Sequence, residues 1–201
     1  TGFLMSEIII CGLDEAGRGP LAGPVCAGAA IIPSDFPVEL LNDSKKLSEK
    51  KRLAAEKVIK ELCPWGIGIV DHETIDKINI LQASLYAMKL AFEMLLINLP
   101  AWCEKNGNTI TAADLRAVAD GTFCPEISVP CRCEIKADGK YPSVMAASII
   151  AKTGRDRIMI EYDKQFPQYG YAKHKGYPTA EHRRICHEIG PSPIQRLTFK
   201  Y

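Results

Sequence analysis

What this 201-residue chain lacks narrows its function first. It has no excess of charge of one sign: 25 Lys and Arg stand against 24 Asp and Glu, a formal net charge of +1. Bulk charge therefore does not announce a nucleic-acid binder, and any such role must rest on local clusters. Histidine is scarce, and His174, His182 and His187 show no metal-ligand pattern, so they read as surface or supporting residues. Of the 8 cysteines only Cys124, Cys131 and Cys133 cluster, at a spacing that fits no common zinc pattern and with no histidine nearby. Ordinary thiols are expected there, with neither zinc nor a disulfide. No leader is read ahead of the first cysteine, which points to a reducing, cytoplasmic setting. There are no repeats and no low-complexity tracts. The most apolar segment, 80–99, is broken by Gln82, Lys89 and Glu93, so it reads as a buried helix rather than a membrane span.

What is present fits a globular enzyme. Hydrophobic residues make up 47% of the chain and charged residues 24%, enough to bury a full core. The length suits one domain over 1–201, with about 167–201 as a helical C-terminal appendage. Residues 6–14 and 22–32 read as a strand pair joined by a Gly-rich turn. A helix is predicted over 47–62, with Ser48 as N-cap and Ala55, Val58, Ile59 and Leu62 as its apolar stripe. A short strand at 66–70 precedes the long helix from Ile80, and 100–111 reads as a loop. Strands follow at 115–119 and 127–136, the second interrupted by Pro130. Pro142 opens a helix to about Gln165, and Thr179 caps a last helix that Gly190-Pro191 stops. Strands interleaved with helices give an α/β core.

The most informative stretch is 12–25, Gly-Leu-Asp-Glu-Ala-Gly-Arg-Gly-Pro-Leu-Ala-Gly-Pro-Val. Asp14 and Glu15 end an apolar strand and should face opposite ways unless the backbone bends there. The glycines behind them let backbone amides approach a ligand closely. Asp120 ends another predicted strand, and Asp138 follows a third, each just before a glycine. Acids arriving from three strand ends would make an oxygen-rich pocket suited to Mg²⁺ or Mn²⁺, not zinc. Basic residues crowd two places, Lys45 to Arg52 and Lys173 to Arg184.

These motifs, with NDSKKLSEKKR, VADG, MAASIIAKTGRDR, FPQYGYAKHKGYPTAEH and GPSPIQRLTF in the same order, resemble the type 2 ribonucleases H, and the bacterial ribonuclease HII form most closely. The likeness covers nearly the whole chain. It implies an RNase H-like mixed sheet flanked by helices. It also implies that Asp14, Glu15, Asp120 and Asp138 hold two divalent cations, Mn²⁺ or Mg²⁺. It carries ribonucleotide reading onto Gly17, Arg18 and Gly19, and junction recognition onto Tyr177. Lys45, Lys46 and Ser148 join the substrate-binding set, the lysines as phosphate grips. The implied substrates are RNA–DNA hybrids and DNA duplexes with embedded ribonucleotides, cut to leave 3′-OH and 5′-phosphate ends. The chain departs from the family in carrying Ala137-Asp138 where Gly-Asp is usual. A monomer is expected. The tail at Gln195, Leu197 and Phe199 has a faint likeness to a sliding-clamp peptide, but its spacing differs and a packed tail is the expectation. A DNA-specific metal nuclease, a non-catalytic binding module and a glycosidase are the alternatives. Four intact acids count against the module, since negative charge weakens phosphate binding.

Overall fold

The computed structural model describes residues 8–42 and 46–200. Its centre is a five-stranded sheet in the order β3-β2-β1-β4-β5. Strands β1 (Ile9–Ala16), β2 (Val25–Ile31) and β3 (Trp65–Val70) form an antiparallel meander. Strands β4 (Leu115–Asp120) and β5 (Cys131–Glu134) run parallel to β1. The carboxyl ends of β1, β4 and β5 therefore lie at one edge of the sheet, where α/β folds place their sites.

Two long helices sandwich the sheet, and glycine decides how near they come. Helix α3 (Ile80–Asn106) covers one face over β2 and β3. A Cβ on Gly68 would stand 2.0 Å from the carbonyl oxygen of Ala87, so only glycine admits that helix. Helix α4 (Pro142–Gln165) covers the other face over β1 and β2. There a Cβ on Gly12 would meet the Ser143 backbone at 2.1 Å, and one on Gly28 the Ala147 carbonyl oxygen at 2.1 Å. Alternation then sorts β1: Cys11 and Leu13 join the core under α3, whereas Gly12 and Asp14 look towards α4.

Helix α3 is long and apolar enough to cross a membrane by composition. In this fold its inner face, Ala87, Ala91, Phe92, Leu95 and Leu99, is packed into the core. It also runs past Pro100, where a loop was expected. Proline removes one backbone donor, but Leu99 and Cys103 are buried, and Trp102 Nε1 donates to the Leu62 carbonyl at 2.9 Å. The helix ends instead at Gly107, whose φ of 65° is left-handed.

Helix α1 (Glu49–Leu62) starts at Ser48 as expected, with the hydroxyl accepting from the Lys51 amide. Its inner stripe differs. Leu62 is 41% exposed, while Glu56 is buried and paired with Lys60 and with Arg157 of α4. Helix α2 (His72–Ile78) was not foreseen, and Asp71 caps it. The predicted 127–136 strand shrinks to β5, because Pro130 cannot donate to a ladder and the pairing begins just after it.

The C-terminal region packs a short helix α5 (Tyr171–His174) and α6 (Ala180–Ile189) around Tyr169 and Tyr171. His174 and His182 are buried here with rings stacked 4.3 Å apart, so they are supporting residues and not surface ones. The expectation of free thiols holds for Cys131 and is corrected for Cys124 and Cys133, which form a disulfide. Cys131 and Cys133 alternate onto one face of β5, and the chain returning from Asp120 brings Cys124 over them. Spacing in the sequence does not reveal that return.

Candidate active site

Each acid is delivered by a different structural device. Asp14 sits in β1, opposite Gly28, and points under α4, where the Ser148 hydroxyl hydrogen-bonds to it. Glu15, the next residue, faces the other side and lies with Arg18, Ser84, Met88, Asp120 and Phe123 around a cavity of about 100 Å³. The alternation expected of adjacent strand residues therefore holds. Asp120 ends β4. Its Oδ1 accepts the Ala137 amide at 2.7 Å, which ties the β4 end to the turn that carries Asp138. That turn is a short 3-10 segment, Ala137–Gly139. Its left-handed residue is Lys136, with φ of 62°, and not Ala137. Alanine is thus tolerated at a position where glycine was expected, and its methyl fills a small cluster with Val118 and Val144.

The three aspartates converge. Carboxylate oxygens of Asp14, Asp120 and Asp138 all lie within 4.8 Å of one another. Asp14 and Asp138 are buried, at 5% and 7% exposure. Burial, then the charges of Glu15 and Asp120, push the Asp14 carboxyl well above its ordinary range, although Ser148 and the Glu15 amide oppose this. Burial raises Glu15 too, with Asp120 adding to it and Arg18 opposing; the Arg18 guanidinium stands 3.5 Å from its carboxylate. Among the described residues neither Asp14 nor Asp120 has a basic side chain within 4 Å. Such repulsion is relieved either by protonation, the direction in which Asp14 and Glu15 are pushed, or by a cation bound between the carboxylates. An all-oxygen donor set fits Mg²⁺ or Mn²⁺.

The substrate-facing expectations divide. Gly17 and Gly19 belong to a turn beside the acids, and Tyr177 reaches it: a Cβ on Gly19 would lie 3.8 Å from Tyr177 Cε1. Tyr177 is 38% exposed, with Lys152 Nζ 5.9 Å from its ring centre. Lys46 is exposed, and Lys45 lies outside the described residues. Ser148, expected to touch substrate, is buried and engaged by Asp14. In the second basic cluster Arg184 is paired with Glu181 and Glu188, which neutralises part of it. Two residues were missed altogether. Arg155 and Arg196 are 1% and 0% exposed and bind the carbonyls of the glycine turn. Their neighbours in sequence, Lys152 to Arg157 and Gln195 to Thr198, are largely polar and give no sign of burial.

A sheet of this order with converging acids at its parallel strand ends defines an RNase H-like, metal-dependent nuclease. The Ribonuclease HII family model matches residues 11–201. Ribonuclease HII of Treponema denticola is 48% identical over 195 residues, covering 95% of this chain and 98% of that protein. Ribonuclease HII of Porphyromonas gingivalis is 47% identical over 200 residues, covering 98% and 92%. Among solved structures, the RNase HII of Archaeoglobus fulgidus, determined in complex with PCNA, aligns with a TM-score of 0.66 at 25% identity, covering 96% of both chains. The Mn²⁺ complex of Bst-RNase HIII shares the fold, with a TM-score of 0.64 at 18% identity, covering 98% of this chain and 68% of that one. The chain belongs to the ribonuclease HII family and is a metal-dependent ribonuclease H of type 2.

Proposed function

We propose that this ribonuclease cuts the RNA strand of RNA–DNA hybrids and also incises DNA duplexes at single embedded ribonucleotides, using two divalent cations held by Asp14, Glu15, Asp120 and Asp138. The observation that carries this reading is the convergence of three aspartates from three strand ends within 4.8 Å, with Glu15 reaching the same edge from the other face of β1. Two bound cations would neutralise the phosphate and activate the attacking water. The chain's own residues do the rest. Ser148 fixes the Asp14 carboxylate, and Asp120 fixes the Asp138 turn through Ala137. Amides of the Gly17–Gly19 turn face the ribose, where only the 2′-OH separates RNA from DNA. Tyr177 stacks at the junction on the far side of that turn. Lys45 and Lys46 grip phosphates without reading sequence. Cleavage would leave 3′-OH and 5′-phosphate ends.

The same reading treats 1–201 as one catalytic domain, with residues 167–201 as an appendage that contributes Tyr177. It takes the protein as a cytoplasmic monomer that needs no membrane and no zinc for the reaction. A sliding clamp is the least supported partner. Gln195 and Arg196 are buried, and the Leu197 and Thr198 amides donate to Asp76, so the tail is largely committed to the fold. The test is a DNA duplex bearing one ribonucleotide, a uniform RNA–DNA hybrid and an all-DNA duplex, each incubated with Mg²⁺, Mn²⁺ or EDTA. Incision of the first two on the 5′ side of a ribonucleotide, abolished by EDTA, is expected. Cutting of the all-DNA duplex at a similar rate would overturn the reading.

A further inference from the structure

The glycine turn is wrapped around two buried cations. Arg196 spends all five of its N–H donors on one segment: Nε on the Gly23 carbonyl at 2.9 Å, Nη1 on Arg18 at 3.0 Å and Pro20 at 2.9 Å, Nη2 on Gly17 at 2.6 Å and Pro24 at 3.1 Å. Arg155 donates to Pro24 at 2.8 Å and Ala22 at 3.1 Å, and its third bond goes to the Lys175 carbonyl at 2.9 Å. Neither guanidinium has a carboxylate within 4 Å among the described residues. Desolvation, and then the neighbouring Arg155, bring Arg196 down to about 9, which still leaves it cationic at neutral pH. A buried charge of this kind is costly unless its donors are filled, and here carbonyl dipoles fill them.

Two geometric consequences follow. In a trans peptide the C=O and the next N–H point opposite ways. With the Gly17 and Arg18 carbonyls drawn inward to Arg196, the Arg18 and Gly19 amides are turned outward, and they have no protein acceptor among the described residues. Secondly, Arg155 joins this turn to the Lys175–Tyr177 segment. The Leu21 amide bonds the Gly176 carbonyl beside it at 2.8 Å, and a Cβ on Gly176 would stand 2.6 Å from the Ala22 carbonyl oxygen. The separation between the outward amides and the Tyr177 ring therefore depends on Arg196, which shapes the turn, and on Arg155, which with the Leu21–Gly176 bond ties the turn to the Tyr177 segment.

We infer that Arg196 and Arg155 are positioning residues for ribonucleotide selection: they hold the Arg18 and Gly19 amides outward and fix their distance from Tyr177. This rests on the substrate reading proposed above. Lysine keeps the charge but has three donors and no planar fork, so it cannot reproduce either set of contacts.

Arg196→Lys and Arg155→Lys, as full chains, are assayed beside the wild type on the single-ribonucleotide duplex and on a uniform hybrid, with kcat and KM measured separately. On the single-ribonucleotide duplex kcat/KM should fall at least tenfold further than on the hybrid, with the loss in kcat. KM should stay within about threefold, because phosphate contacts elsewhere dominate duplex binding. The Mn²⁺-induced rise in melting temperature should persist, since neither arginine touches the acids. Equal losses on both substrates, a loss confined to KM, or no loss would overturn the inference while leaving the enzyme's activity established. If Arg196→Lys does not fold, Arg155→Lys decides, because it leaves all five Arg196 contacts in place. A wild type that cuts neither substrate would overturn the substrate reading and this inference with it.

Discussion

Asp120 accepts one hydrogen bond, from Ala137, and lies within 4.8 Å of two other carboxylates. In the proposed site its charge would serve the cation, while its volume and its bond to Ala137 serve the turn. Asp120→Asn changes the first and nearly preserves the second. Cleavage should fall by more than about a hundredfold while hybrid binding, measured by gel shift, stays near the wild-type level. A variant that retains more than that would remove Asp120 from the reacting centre. Tyr177 makes a contrasting case, being partly exposed and close to Gly19. A junction offers one 2′-OH to read, so each contact there weighs more. Tyr177→Ala should thus impair the single-ribonucleotide duplex more than the long hybrid, and equal impairment would deny it a junction role. The four acids were legible singly as Asp-Gly or Asp-Glu strings. Their convergence was legible from the strand ends at which they fall, and from the order of motifs. The buried pair Arg155 and Arg196 was not, because nothing local distinguishes a buried guanidinium from a surface one.

At the scale of elements, the contact between α1 and α4 carries a pH signature. Burial alone would raise Glu56, but hydrogen bonds from Arg157, Lys60 and Thr153 outweigh it and hold the carboxyl at about 2, below its ordinary 4.5. A depressed carboxyl stabilises the fold above its unfolded value and loses that contribution as pH falls towards the folded one. The wild-type melting temperature should therefore drop more steeply between about pH 4.5 and 2 than that of Glu56→Gln. At pH 7 the variant should be less stable by about 1–2 kcal/mol, a modest figure because the Arg157 side chain is half exposed. Parallel pH slopes in thermal melts would contradict the assignment. Gly12→Ala tests the packing of α4 on the sheet. Its Cβ would meet backbone at 2.1 Å, which cannot rotate away, so a loss of roughly 3 kcal/mol or more in urea unfolding is expected. The ends of α1, α4 and α6 could be read from Ser48, Pro142 and Thr179, since capping is local chemistry. The passage of α3 through Pro100 could not, because tertiary burial decided it, whereas the shortening of β5 follows from Pro130, whose weight the strand reading did not give. Helix α2 is only seven residues long and offered too little periodicity to see.

For the whole molecule the decisive property is that three strand ends meet. Without a cation, Asp14, Glu15, Asp120 and Asp138 hold like charges together at the sheet edge, and folding must oppose that repulsion. A cation binds only where these ligands are assembled, so it stabilises the native state by mass action. The central claim is that the four acids form one site, and melting curves with and without millimolar Mn²⁺ test it most directly. Mn²⁺ should raise the wild-type melting temperature. Asp14→Asn should be at least as stable as the wild type without metal, and should gain less from Mn²⁺. An Asp14→Asn protein that is destabilised without metal yet keeps the full Mn²⁺ shift would show that Asp14 supports the fold and that the acids do not act as one site.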